Sequence, residues 1–267
     1  MTVDARELLD VARAAAAEAG RLLVDRRPED LGVAETKSSP TDVVTEMDTT
    51  AEKVIRSAIS RRRPQDAFLG EEGGADAGFT GVRWVIDPID GTVNYLYGLP
   101  AWAVSIGAEV DGVAVAGVVL APQLGEEYTA VLGEGSWLGG RRLRLRESEG
   151  LAKALIATGF GYRAERRVGQ GRIVAGLIGQ VRDIRRGGSA ALDLCSLAAG
   201  RLDGYFERGT HAWDRAAGAL IATEAGARVE DLHGAPASEA MVLAAGPALF
   251  PALHRALIDL GADEQGY

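Results

Sequence analysis

Leu8, Ala12, Ala15, Ala19, Leu22 and Leu23 recur at helical spacing, while Arg13, Glu18 and Arg21 fall on other faces. The pattern predicts an amphipathic helix over residues 4–27, ended by Pro28. A polar stretch containing Thr36-Lys37-Ser38-Ser39-Pro40 follows, and Ala51, Val54, Ile55, Ala58 and Ile59 then predict a second helix from Asp48 to Arg62, stopped by Pro64. From Trp84 the texture becomes that of strands. Ala101 to Val110 and Val113 to Leu120 flank Asp111-Gly112, a tight-hairpin signal, and a meander is expected to continue through Tyr128 to Leu132 and Leu143 to Arg146. The remainder alternates, with strands expected near residues 154–157, 183–185, 204–207 and 241–245, and helices at 165–180, 189–199, 213–225 and from Pro247. Helix pairs, then a meander, then α/β alternation imply layered helices and sheets in one two-lobed domain spanning 1–267, with lobes of about 1–150 and 151–267.

Composition fits a soluble globular protein: of 267 residues 47% are apolar and 25% charged. Lys plus Arg is 29 against 38 Asp plus Glu, a formal charge of −9, the wrong sign for gripping nucleic acid through its phosphates. Cys195 is the only cysteine, which removes a disulfide framework and a thiolate metal cluster; it lies in an apolar helical run and reads as inert core. With no apolar run long enough to span a membrane and no leader-like N-terminus, the protein is expected to be cytoplasmic, with no membrane or nucleic-acid partner. Lys37, Lys53 and Lys153 are the only lysines, a bias expected of a GC-rich bacterial genome.

The chain lacks a Walker-type phosphate loop, a dinucleotide fingerprint, a zinc-protease helix and a nucleophile elbow, and its three histidines are scattered. Chemistry must therefore rest on oxygen. In Trp84 to Asn94 an apolar strand runs into Asp87, Pro88 is expected to force a turn, and Gly91-Thr92 opens a short helix. Asp87 and Asp90 can converge there on a hard divalent cation, with the N–H groups of Gly91 and Thr92 facing an anion. Taken alone, the same string also reads as an Asx turn with a helix cap. Glu71-Glu72 ends another apolar run, and Asp214 sits in the first turn of an Ala-rich helix, where capping is its simplest role. Thr92 alone would likewise read as a cap. Together these acids suffice to hold two or more magnesium ions.

With these residues the chain resembles the inositol monophosphatases, magnesium-dependent and lithium-inhibited phosphatases of sugar and polyol phosphates. The matches run in order through Lys37-Ser38-Ser39-Pro40, Asp42, Asp48, Gly70-Glu71-Glu72, Trp84 to Asn94, Gly187-Gly188-Ser189-Ala190-Ala191, Tyr205-Phe206-Glu207 and Trp213 to Gly218. The resemblance implies an αβαβα layered fold, homodimers and two or three Mg2+. It implies a first ion on Glu71, Asp87 and the Ile89 carbonyl, a second on Asp87, Asp90 and Asp214, and a third near Glu71. Thr92 with Asp48 would orient the attacking water; Gly91 and Thr92 would hold phosphate; Asp90, Gly188, Ser189, Ala190 and Glu207 would contact the alcohol. Glu71 and Asp214 would thus also border the substrate. Myo-inositol 1-phosphate is the expected substrate, with histidinol phosphate, or sugar phosphates such as fructose 1,6-bisphosphate, as the alternative. A non-catalytic metal-binding regulator is a further alternative; the retention of Asp48, Glu71, Asp87, Asp90, Thr92 and Asp214 argues against it.

Overall fold

The computed structural model describes residues 3–263. Met1, Thr2 and residues 264–267, which the expected lobes include, lie outside the described residues. Helix α1 (Ala5–Asp25) begins at Asp4, whose carboxylate accepts from Arg6 N, and it buries the predicted alanine and leucine stripe except for Leu22, which is half-buried. A two-stranded ribbon, β1 (Glu35–Thr36) and β2 (Val43–Val44), leads into α2 (Glu46–Ser60). Strands β3 (Ala67–Gly70), β4 (Gly74–Asp76) and β5 (Val82–Asp90) precede a short helix α3 (Thr92–Leu96). The meander β6 (Ala103–Val110), β7 (Val113–Ala121), β8 (Glu126–Val131), β9 (Gly135–Leu138) and β10 (Arg141–Arg142) completes an eight-stranded sheet in the order β10-β9-β8-β7-β6-β5-β3-β4. Only β3 and β5 are parallel in it. At the β6–β7 hairpin Asp111 and Gly112 both have positive φ (50° and 81°), the geometry that a two-residue turn of this hand requires.

Beyond residue 150 the chain alternates through β11 (Leu155–Thr158), α4 (Ala164–Leu177), β12 (Asp183–Arg185), α5 (Ala190–Ala198), β13 (Gly204–Glu207), α6 (Ala212–Glu224), β14 (Arg228–Glu230), β15 (Val242–Ala245) and α7 (Phe250–Asp259). Its five-stranded sheet has the order β12-β11-β13-β15-β14. One apolar cluster joins α1 and α2 to the first sheet, another joins that sheet to α5 and α6, a third carries α5 and α6 onto the second sheet, and the last covers it with α4 and α7. Helix and sheet layers therefore alternate αβαβα, as expected. Cys195 lies buried in the middle layer.

Two local expectations are corrected. Residues 143–146 are not a strand: pairing ends at Arg142, and Leu143 N bonds to Ser136 O as the chain leaves the sheet. Pro88 does not end its strand in a turn, since β5 runs on to Asp90 with an irregular register. Strands β4 and β14 and the β1–β2 ribbon carry no apolar alternation that sequence periodicity detects; in β1 and β4 every residue is exposed.

Candidate functional site

The irregularity in β5 places the acids. Asp87 pairs with Ser105 and Asp90 with Ala103, so three steps on β5 match two on β6. In a regular strand, residues three apart face opposite sides; the extra residue lets Asp87 and Asp90 open into the same cavity. Pro88, which has no N–H to leave unpaired, sits in the irregular stretch. Asp87 is then fixed by Ile89 N, which donates to Oδ1 at 3.0 Å. Gly91, at φ 99°, turns the chain into α3, and a Cβ there would stand 3.0 Å from Ala101 O.

The cavity, about 610 Å³, is lined by Glu71, Asp87, Ile89, Asp90, Gly91, Thr92, Gly188, Ser189, Ala190, Glu207 and Asp214, so nearly all the expected site residues meet there. Ile89 is 1% exposed, so it can offer only its backbone. Asp48 is the exception: it lies fully buried behind the cavity and reaches it through Thr92, whose hydroxyl lies 2.9 Å from Asp48 Oδ1 and 3.0 Å from Ile89 O. Thr92 does not cap its helix with its side chain; the cap position is Gly91.

Asp48 and Asp214 each occupy the third position of a helix, and each carboxylate closes a capping box. Asp48 Oδ2 accepts from Thr45 N and Thr45 Oγ1 at 2.8 and 2.6 Å, and Asp214 Oδ2 accepts from His211 N at 2.6 Å. Capping and chemistry are compatible because each carboxylate has a second oxygen. Asp90 is tied to the start of α5, its Oδ2 accepting from Ser189 Oγ (2.6 Å) and Ala191 N (2.7 Å). Helix α6 brings Asp214 against β5 through small residues: a Cβ at Gly107 would meet Ala216 Cβ at 3.0 Å, and one at Gly117 would meet Ala217 Cα at 3.1 Å.

Two supporting sets of contacts, those of Glu52 and those of the motif residue Lys37, escape periodicity and motif reading. Glu52, 2% exposed, accepts from Glu72 N (2.7 Å), Gly73 N (3.0 Å) and Arg56 Nε (2.7 Å), so α2 grips the turn that carries Glu71. A side chain at Gly70 would collide with Glu52. Lys37 bridges Glu71 (2.8 Å) and Glu72 (2.6 Å); burial pulls its pKa down, but the two carboxylates overcome that and hold the ammonium above its ordinary value. Glu52 sits on the apolar-rich side of α2, and a charge there was the one available signal.

Burial, followed by repulsion from Glu71, Asp90, Asp214 and Asp48, raises the Asp87 carboxyl well above the usual range. Asp214 is raised likewise by burial and by Asp90 and Glu71, while Asp90 reaches about 6, its burial offset in part by the Ser189 and Ala191 hydrogen bonds. Asp48 is pushed up to about 6 and Glu207 to about 7, burial again being the main cause. Among the described residues, no three His, Cys, Asp or Glu side chains already close around one point at ligand distance. The donor set nonetheless suits a hard divalent cation, because hard oxygen ligands that repel one another are what such an ion neutralises. A wider depression of about 820 Å³ lies elsewhere, but its acids are engaged: Glu230 with Arg228, and Asp231 with the N–H groups of His233 and Ala235. The acid-lined cavity is the candidate site.

Comparison with known proteins agrees with the geometry. The family model described as "Inositol monophosphatase family" matches residues 4–261. Inositol-1-monophosphatase SuhB of Mycobacterium tuberculosis (strain ATCC 25618 / H37Rv) is 49% identical over 240 residues, covering 83% of each chain. Nus factor SuhB of Pasteurella multocida is 43% identical over 231 residues, covering 85% of this chain and 86% of that one. The crystal structure of extragenic suppressor protein suhB from Bartonella henselae superposes with a TM-score of 0.88 at 37% identity, over 94% of this chain and 98% of that one. With fold, ordered motifs and acid-lined cavity in agreement, this chain belongs to the inositol monophosphatase family.

Proposed function

We propose that the protein is a magnesium-dependent phosphomonoesterase that hydrolyses myo-inositol 1-phosphate to myo-inositol and phosphate. The observation that carries this reading is the Thr92–Asp48 hydrogen bond set directly behind a cavity floor of mutually repelling carboxylates. Glu71, Asp87, Asp90, Asp214 and the Ile89 carbonyl would hold two or three Mg2+. When bound, the ions supply an activated water and neutralise charge on the phosphate and the leaving oxygen. Thr92, donating to Asp48, turns a lone pair toward the cavity and can accept a proton from the attacking water, while Asp48 receives the Thr92 proton. Gly91 and Thr92 border the phosphate. Gly188, Ser189, Ala190 and Glu207 border the alcohol, and Tyr205 Oη donates to Glu207 Oε2 at 2.9 Å, fixing one carboxylate oxygen.

The two lobes, meeting near residue 150, act as one domain in a homodimer inhibited by lithium. The enzyme works in the cytoplasm without a membrane partner; among the described residues no helix is long and apolar enough to cross a membrane. The formal charge of −9 supports a small phosphorylated polyol over nucleic acid as the partner. A regulatory role is a second reading, favoured by the name of the Pasteurella relative. The test is phosphate release from inositol 1-phosphate, histidinol phosphate and fructose 1,6-bisphosphate after chelation and Mg2+ repletion. Fastest Mg2+-dependent turnover of inositol 1-phosphate is expected. No release from any of them with Mg2+ present would overturn the enzymatic reading and leave the regulatory one.

A further inference from the structure

Tyr162 lines the cavity and is 39% exposed. The short segment that carries it leaves β11 beside Glu207, since a Cβ at Gly159 would collide with that carboxylate. The segment is then held by hydrogen bonds to two separate parts of the chain. Gly161 N donates to Oε1 of Gln170 (2.9 Å), itself 2% exposed, and Gly161 O accepts from Arg167 Nε (2.8 Å). In the β1–β2 loop, Ser39 Oγ and Thr41 Oγ1 both donate to Tyr162 O, at 3.1 and 3.2 Å, and Arg167 Nη2 donates to Thr41 Oγ1 at 2.8 Å. The backbone of Tyr162 is therefore fixed, while its hydroxyl has no hydrogen-bond partner among the described residues. Burial, and then the carboxylates of Glu71, Asp42, Asp214 and Asp90, raise the pKa of the phenol, so the hydroxyl lies within electrostatic reach of the cavity's acids. Glu207, which marks the expected alcohol side, is not among the strongest of these charges. A phenol titrates near 10 even without such neighbours, so Oη carries its proton at neutral pH and is a donor.

We infer that Tyr162 is a phosphate-binding residue of this site, its hydroxyl donating to a non-bridging oxygen of the scissile phosphate. A phosphate monoester carries about −1.5 to −2 charge at neutral pH, and acids that repel one another also repel it until cations are bound. A protonated, uncommitted hydroxyl near those acids meets a phosphate oxygen without adding charge of either sign. The hydrogen bond is charge-assisted, and the fixed backbone lowers the entropic cost of holding the ring in place. The inference rests on the phosphomonoesterase reading above and adds a substrate contact to it.

The experiment compares the wild-type protein with Tyr162→Phe, which removes one oxygen and keeps the ring. Because Oη has no partner in the protein, the melting temperature should not change. With Mg2+ present, titration calorimetry with inorganic phosphate is expected to show about tenfold weaker binding in the variant, the size of one charge-assisted hydrogen bond. KM should rise by a similar factor for inositol 1-phosphate and for glycerol 2-phosphate, which share the phosphate and differ in the alcohol, with kcat held within about twofold. Unchanged phosphate affinity, or a KM rise confined to inositol 1-phosphate, would overturn the inference; the second result would assign the hydroxyl to the alcohol instead. Phosphate binding is read without turnover, so the two readings fail separately. If the wild type hydrolyses inositol 1-phosphate and its phosphate affinity is the same as that of Tyr162→Phe, only this inference falls. If the wild type releases phosphate from neither ester, the phosphatase reading falls and takes this inference with it.

Discussion

Asp90 shows how one carboxylate serves two roles. Its Oδ2 receives Ser189 Oγ and Ala191 N, which anchors the start of α5, so the proposed ligand role must use what remains of the group. In Asp90→Asn the amide oxygen can still accept both bonds while the charge is lost. Turnover should fall by about a hundredfold or more with the melting temperature little changed, as phosphate release and calorimetry would show. Thr92→Val removes the hydroxyl that links the cavity to Asp48. Activity should fall by about a hundredfold with Mg2+ affinity, read by titration calorimetry, nearly unchanged. Glu207 borders the expected alcohol side, so Glu207→Ala should alter the ranking of substrates in a phosphate-release panel more than it slows every one of them.

Secondary-structure elements set the positions of these side chains. The register shift in β5 turns Asp87 and Asp90 to one side, and capping boxes fix Asp48 and Asp214 at the first turns of α2 and α6. The turn after β3 depends on a buried charge: Glu52 holds two of its N–H groups and pairs with Arg56. Glu52→Ala would leave Arg56 and both N–H groups without their acceptor. A loss of about 3 kcal/mol in chemical denaturation is expected, together with weaker Mg2+ binding as the Glu71 turn loosens. The Asp87-to-Thr92 string and the Ala-rich start of α6 were legible from sequence because their residue types are unusual together. The Glu52 and Lys37 contacts were not, since a lone charge in a helix or a polar loop names no partner until the chain has folded.

Across the whole molecule, acids from distant parts of the sequence are collected in the interior, and stability should follow pH accordingly. Asp193, 7% exposed, is pushed up to about 8 by burial and then by Glu207 and Asp90, with Arg186 opposing; Glu207 reaches about 7. Folded pKa values above those of the unfolded chain mean that the native state binds more protons. Their contribution is complete below about pH 4 and is lost as pH rises through 7 to 8. The metal-free protein should therefore melt several degrees lower at pH 8.5 than at pH 5.5, and Asp193→Asn should flatten that dependence in a pH series of thermal scans. Mg2+ should raise the melting temperature most at the alkaline end, where the carboxylates it would neutralise are charged.

The sequence by itself determined the helices with an apolar stripe, the central meander with its Asp-Gly hairpin, and the set of acids able to serve as ligands. Each of these is a local property, written in periodicity, turn chemistry or residue type. Only the tertiary structure decided that Asp87 and Asp90 share a side, because that depends on pairing with β6. It also decided that Asp48 acts from behind Thr92, and that α6 approaches closely enough at Gly107 and Gly117 to deliver Asp214.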